Sequence, residues 1–169
     1  MRADRLVQAA AAALVLLLAA GAPARVAESS ERGPGGSIKG SGRMEKRVVP
    51  FDEFSRIRLD GAIDIEVRFG DEQKVEFYLD DNLVDNLRAE STERTLTLDW
   101  ARECRPSDGS LLAITAKKLE AAEIRGAGDI QVSGFPGGTF TYELSGAGNL
   151  AIDGTASELV LVLSGAGNV

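Results

Sequence analysis

A Gly-rich decapeptide sets the strongest limit on how this chain can fold. "RGAGDIQVSG" at 125–134 returns as "SGAGNLAIDG" at 145–154 and begins again as "SGAGNV" at 164–169. Gly126, Gly146 and Gly165 are separated by 20 and then 19 residues, and Ile124, Leu144 and Leu163 keep the same steps. So do Ile130, Leu150 and Val169, while Val132 matches Ile152 and Gly134 matches Gly154. "LDGAIDIEV" at 59–67 is an earlier echo, with Gly61-Ala62, an acid at Asp64, then Ile65 and Val67. A coil this short cannot bury its apolar face alone, so a fixed period with apolar alternation predicts coils that stack. Strands in adjacent coils would lie about 4.8 Å apart. Ile124, Leu144 and Leu163 would then form one column, and Ile130, Leu150 and Val169 another.

The expected fold class is therefore all-β, a right-handed parallel β-helix with coils of about 20 residues. The alternative is a β-sandwich whose hairpin turns merely look alike. Nine residues are the candidate corners of the repeat: Gly126, Gly128, Asp129, Gly146, Gly148, Asn149, Gly165, Gly167 and Asn168. The glycines are expected to take positive φ there. The Asp or Asn is expected to bond the local backbone or its own column.

The rest of the chain agrees with an all-β reading. Alternation runs through Ile57, Leu59, Ile63, Ile65, Val67 and Phe69, then Val75, Phe77 and Leu79, then Leu96, Leu98 and Trp100. "DDNLVDNLR" has room for one helical turn, and "RECRPSDGS" reads as a loop from its Pro and Gly. "SLLAITAKKLEAAEI" suits a helix by propensity at "AKKLEAAE", but the repeat that follows requires a strand before it.

Domain organisation follows from composition. Residues 1–24 carry Arg2 and Arg5, an apolar run from Leu6 to Ala20, and Ala22-Pro23-Ala24. This is the pattern of a secretory signal peptide. Residues 25–46 are rich in Gly, Ser and charge, which predicts a flexible linker. Residues 47–169 form the folded domain. A solenoid that stops at Val169 leaves a strand edge unpaired, so C-terminal truncation is expected, with self-association through that edge as the other outcome.

Net charge is −7, and removing residues 1–24 with their net +1 leaves −8. An acidic chain without basic runs argues against nucleic acid as a partner. With the leader cleaved, no stable membrane insertion is expected. Histidine is absent and Cys104 is the only cysteine. That excludes Ser-His-Asp and Cys-His catalysis, an internal disulfide, and a lipid-bearing Cys after the cleavage site.

Other chemistry was weighed on spacing. No Lys-Ser or Lys-Thr follows a glycine cluster, as a P-loop requires, and "GAGDIQVSG" leads into a strand rather than a helix. Calcium β-rolls repeat every nine residues, and the column of Asp129, Asn149 and Asn168 offers one carboxylate in three. No metal or cofactor is therefore expected. Asp60 with Asp64, and Asp80 with Asp81, are acid pairs of the kind glycoside hydrolysis uses. Alternation places Asp60, Asp64 and Glu66 on one solvated face, with Arg56 or Arg58 nearby. Tyr78, Tyr142, Phe135 and Trp100 could meet a ligand, although core positions are the commoner place for such side chains.

"VPFDEFSRIRLDGAIDIEVRFGDEQKVEF", "DDNLVDNL" and the "LSGAGN" repeats, in that order, resemble the exported bacterial GIN domain, an autotransporter adhesin head family. The resemblance covers roughly residues 47–169. It implies a β-helix-like fold and a cell-envelope setting, with no established activity and no catalytic residues. The functional expectation is an exported, non-enzymatic binding or adhesion module, periplasmic or at the cell surface, with an unknown protein or glycan as ligand. A carbohydrate-active β-helix enzyme and a structural envelope protein are the alternatives.

Overall fold

The computed structural model describes residues 36–169. The leader expected at 1–24, and the linker as far as residue 35, lie outside the described residues. The described chain is all-β apart from one 3-10 turn at Val84–Asn86.

Six strands form a first sheet. In chain order they are β3 (Arg56–Leu59), β6 (Leu87–Thr92), β7 (Thr95–Trp100), β10 (Ala121–Ile124), β12 (Thr139–Leu144) and β14 (Glu158–Leu163). Their order across the sheet is β14-β12-β10-β3-β7-β6. A second sheet holds β2 (Met44–Val49), β4 (Asp64–Phe69), β5 (Lys74–Asp80), β9 (Leu111–Ala116), β11 (Ile130–Phe135) and β13 (Leu150–Gly154), in the order β13-β11-β4-β9-β5-β2. The short strands β1 (Ile38–Lys39) and β8 (Cys104–Arg105) pair with each other in parallel.

The repeats pair in parallel at their sequence period. Ile124 lies beside Leu144, and Leu144 beside Leu163, in the first sheet. Ile130 lies beside Leu150 in the second. The echo at 59–67 joins the same stack, with Leu59 beside Ile124 and Ile65 beside Ile130. Pairs at the other end of each sheet are antiparallel: β2 with β5, β5 with β9, and β6 with β7.

Spatial order departs from chain order at one place. β3 and β4 sit between β7 and β9 on one side and β10 and β11 on the other. The chain leaves β9 and reaches β10 by crossing the end of that inserted pair through Lys117–Glu120. Two backbone hydrogen bonds from Glu120 and Ala121 to the carbonyl of Ser55 fix the crossing.

Alternation decides the core. Ile57 and Leu59 of β3 are buried, whereas Arg56 is exposed and Arg58, between them, is half-buried. Inward residues of both sheets, among them Leu98, Leu112, Ile65, Val132, Phe140 and Leu144, belong to one apolar core. Phe135 at the end of β11 meets Phe140 of β12 at 5.5 Å between ring centroids. Burying each such side chain contributes about 1.5–3 kcal/mol.

Strand structure begins earlier than composition indicates. β1 and the first residues of β2 fall inside the 25–46 stretch expected to be a linker. Hydrogen bonds rather than apolar burial order this segment. Asp80 Oδ1 accepts from the Gly42 N–H at 2.7 Å. Asn82 accepts from the Ser41 N–H at 3.0 Å and donates to the Lys39 carbonyl at 2.9 Å. β8 likewise lies in the 102–110 segment expected to be loop.

Candidate functional site

The nine corner residues of the repeat come together as one column. Ala62, Ala127, Ala147 and Ala166 bridge in parallel from one repeat to the next. The carbonyls of Gly61, Gly126 and Gly146 accept from the N–H of Ala127, Ala147 and Ala166 at 2.9, 3.0 and 2.9 Å. At the Gly61 end the indole of Trp100 covers the column, donating from Nε1 to the Ala62 carbonyl at 3.1 Å.

The glycines are required for a different reason from the expected one. Of Gly126, Gly128, Gly146, Gly148, Gly165 and Gly167, only Gly128 has a positive φ, at 152°. Each instead lies against the preceding repeat. A Cβ at Gly126 would run into the Gly61 carbonyl, one at Gly146 into the Gly126 carbonyl, and one at Gly165 into the Gly146 carbonyl. Gly128, Gly148 and Gly167 meet Ile63, Gly128 and Gly148 in the same way. Close approach of backbones, not left-handed turning, excludes a side chain here. Positive φ belongs to the other matched pair, Gly134 at 72° and Gly154 at 132°, next to a break in register between β11 and β13.

Asp129, Asn149 and Asn168 also bond along the column rather than locally. Asp64 Oδ1 accepts from the Asp129 N–H at 2.9 Å. Asp129 Oδ1 accepts from both the backbone N–H and Nδ2 of Asn149, at 2.8 and 2.9 Å. Asn149 Oδ1 accepts from the same two groups of Asn168, at 3.1 and 3.0 Å. The ladder lies beside a shallow hollow of about 240 Å³ on the outer face of the second sheet, lined in part by Glu66 and Gln131. Among the described residues, no three His, Cys, Asp or Glu side chains gather as metal ligands.

The acid pairs separate. Asp60 follows β3 in the first sheet, whereas Asp64 and Glu66 lie on β4 in the second. The corner at Gly61–Ile63 carries the chain from one sheet to the other, so these acids do not share the single face that alternation implied. Asp80 is fully buried. Burial alone would raise its pKa, but hydrogen bonds from Ser107, Gly42 and Ser110 hold the carboxyl below its ordinary range. Asp81 is paired with Arg43 at 2.7 Å and accepts from Ser41 at 2.6 Å. This clamp ties β2 and the 106–110 loop to β5.

The aromatic candidates divide similarly. Tyr142 and Phe135 are core residues, and Trp100 covers the corner column. Tyr78 is half-buried with the Lys46 ammonium 5.1 Å from its ring centre.

A larger groove, about 700 Å³, runs over the outer face of the first sheet. Its floor is β3, β10 and β12, and its walls are the Lys117–Glu120 crossing and the Pro136–Gly138 turn. Thr95, Arg56, Ala121 and Thr141 lie side by side across four strands. Arg58 pairs with Glu123 at 2.8 Å, and Arg125 pairs with the same carboxylate at 2.6 Å. Partial burial would raise the Glu123 pKa, but Arg125 and Arg58 hold it below its ordinary value. Composition gave no sign of this groove, because its residues come from four separated segments.

Comparison with known proteins agrees with the fold. A "putative adhesin" of Bacteroides fragilis superposes with a TM-score of 0.71 at 22% identity, covering 78% of this chain and 63% of that one. A "putative adhesin" of Parabacteroides merdae gives 0.54 at 18% identity, covering 74% of this chain and 60% of that one. A "putative lipid binding protein" of Parabacteroides distasonis gives 0.52 at 21% identity, covering 75% and 63%. The chain thus spans about three fifths of the length of these structures. No curated protein matches. The family described as "Putative auto-transporter adhesin, head GIN domain" matches residues 53–169, most of the chain, and this protein belongs to that family.

Proposed function

We propose that the chain is an exported, non-enzymatic binding or adhesion module of the bacterial cell envelope. Its repeats form a solenoid-like stack behind a leader at 1–24 and a short linker. The observation that carries this reading is the alignment of outward side chains in rows across parallel strands, as in Thr95, Arg56, Ala121 and Thr141. Stacked repeats offer long regular surfaces suited to binding extended partners. The adhesin description of the family supports the same reading.

Two measurements test it. The full chain expressed in a bacterium should be recovered in the envelope or medium with Arg25 as its first residue; uncleaved protein in the cytosol contradicts export. Purified chain on a glycan and protein array, paired with a turnover assay, should be retained without releasing product. Product release favours the carbohydrate-active enzyme, and no retention at all removes the module.

One observation favours a second reading, assembly through β14. Leu159, Leu161, Val162 and Leu163 are 40–51% exposed on this edge strand. An antiparallel pair centred on Leu161 would set Leu159 against Leu163 of a second copy, with Glu158 against Ser164. Sizing over a range of concentrations tests this, since a strictly monomeric chain contradicts it and loss of association in Leu161→Lys supports it.

A further inference from the structure

We infer that the groove on the outer face of the first sheet takes a linear anionic polysaccharide laid across the strands, with one acidic group on Arg56. The inference rests on the reading of the chain as a binding module and names the ligand class of this groove.

Charge comes first. Arg56 is exposed on the groove floor and has no ion-pair partner among the described residues, whereas Arg58, Lys118 and Arg125 all have one. Two of the three carboxylates that line the groove are already engaged. Glu123 is held by Arg58 and Arg125, and Glu120 by Lys118 and the Ser55 hydroxyl at 2.8 Å. Lys117, on the groove wall, reaches Glu53 only at 3.9 Å. A free guanidinium beside neutralised acids presents a fork of donors matched to a carboxylate or sulfate. On a chain of net charge −7 it is a local exception to the overall field.

Geometry selects an extended sugar chain over an extended peptide. Backbone groups of the floor strands are spent in the sheet ladder on both sides, so a peptide finds no main-chain partners there. Peptide strand addition needs a free edge. The strands repeat about every 4.8 Å, close to the rise of one pyranose in an extended polysaccharide. A chain crossing the strands therefore places one sugar over each of Thr95, Arg56, Ala121 and Thr141. The threonines offer hydroxyls, and Ala121 leaves room for a ring. Glu143, also lining the groove and without an ion-pair partner among the described residues, disfavours acids on every sugar. Alternating acidic and neutral sugars suit the floor better.

Affinity electrophoresis through gels holding hyaluronan, which alternates uronate and neutral sugars, or neutral dextran tests the inference. The full chain should be retarded by hyaluronan and not by dextran. Arg56→Ala should weaken retention about tenfold and Arg56→Lys less, because a lysine keeps the charge without the fork. Glu143→Gln should tighten binding about threefold by removing a like charge. Arg68→Ala, on the outer face of the other sheet, should bind as the parent does. All three positions are surface sites, so unchanged thermal melts should accompany these shifts. Equal retention by dextran, no retention by hyaluronan, or equal loss in Arg56→Ala and Arg68→Ala overturns the inference. In each case array retention by the parent chain would leave the binding-module reading standing.

Discussion

At Gly146 a single methyl group would meet the carbonyl of Gly126 in the repeat before it. Neither backbone can retreat, because that carbonyl already accepts the Ala147 N–H at 3.0 Å. Gly146→Ala should therefore cost more than about 2 kcal/mol. Gly42→Ala has open space and only a positive φ to overcome, so it should cost about 1 kcal/mol. Urea unfolding of the two variants makes the comparison, and equal losses would remove the stacking explanation. Asp129 tells a related story. It bonds as an acceptor along the ladder and faces Asp64, a second carboxylate, with no amide to donate. Asp129→Asn supplies that donor and removes a like charge. It should raise stability by about 0.5–1 kcal/mol, with a gain that shrinks in high salt. Asp80 supplies the pH dependence. Its folded-state pKa lies below the ordinary 3.8, so its contribution is present above about that pH and is lost as pH falls through the folded value. Asp80→Ala leaves three buried or half-buried donors without their acceptor and should cost about 3 kcal/mol at neutral pH. In Asp80→Asn the acid-induced loss of stability should be smaller than in the parent. Thermal melts between pH 2 and 7, roughly the range that spans carboxylate titration, measure both effects.

Strand positions were legible in the sequence wherever one face is buried, because Ile57, Leu59, Ile65 and Val67 announce a period of two. The columns were legible too, since Ile124, Leu144 and Leu163 keep one step and pair in register. Three features were not. β1 and β8 are two residues each and carry no period to read. β2 follows a polar stretch, 39–42, that hydrogen bonds with Asp80 and Asn82 hold in place, and such partners are distant in sequence. The insertion of β3 and β4 between strands that come later in the chain has no local signal, because parallel partners are not joined by a turn. The groove depends on that insertion, which sets Arg56 beside Ala121. Element order also sets an order of opening. Strands with partners on both sides and buried residues, β3, β10 and β12, should exchange their amide hydrogens most slowly. β14, β6, β13 and β2, the edge strands of the two six-stranded sheets, should exchange fastest. Hydrogen exchange followed by mass spectrometry checks this, and uniform protection across β12 and β14 would contradict it.

For the molecule as a whole, residues about 20 apart become neighbours on one face, and that relation produces the repeat columns, the Asp129–Asn149–Asn168 ladder and the Ala121–Thr141 part of the groove floor, while the inserted β3 adds Arg56. A face built from rows of outward side chains suits a partner with its own repeat, as a polysaccharide has. Ala121 and Thr141 are partners across the β10–β12 pair and both face the groove. Ala121→Cys combined with Thr141→Cys should close rapidly under mild oxidation or with a one-carbon crosslinker, leaving buried Cys104 untouched. Ala121→Cys combined with Asp153→Cys, on the other sheet, should not close. Efficient linkage of the first pair alone is the predicted result; failure of that pair in a folded variant, or equal linkage of both, would contradict the stacked register on which the fold and the groove depend.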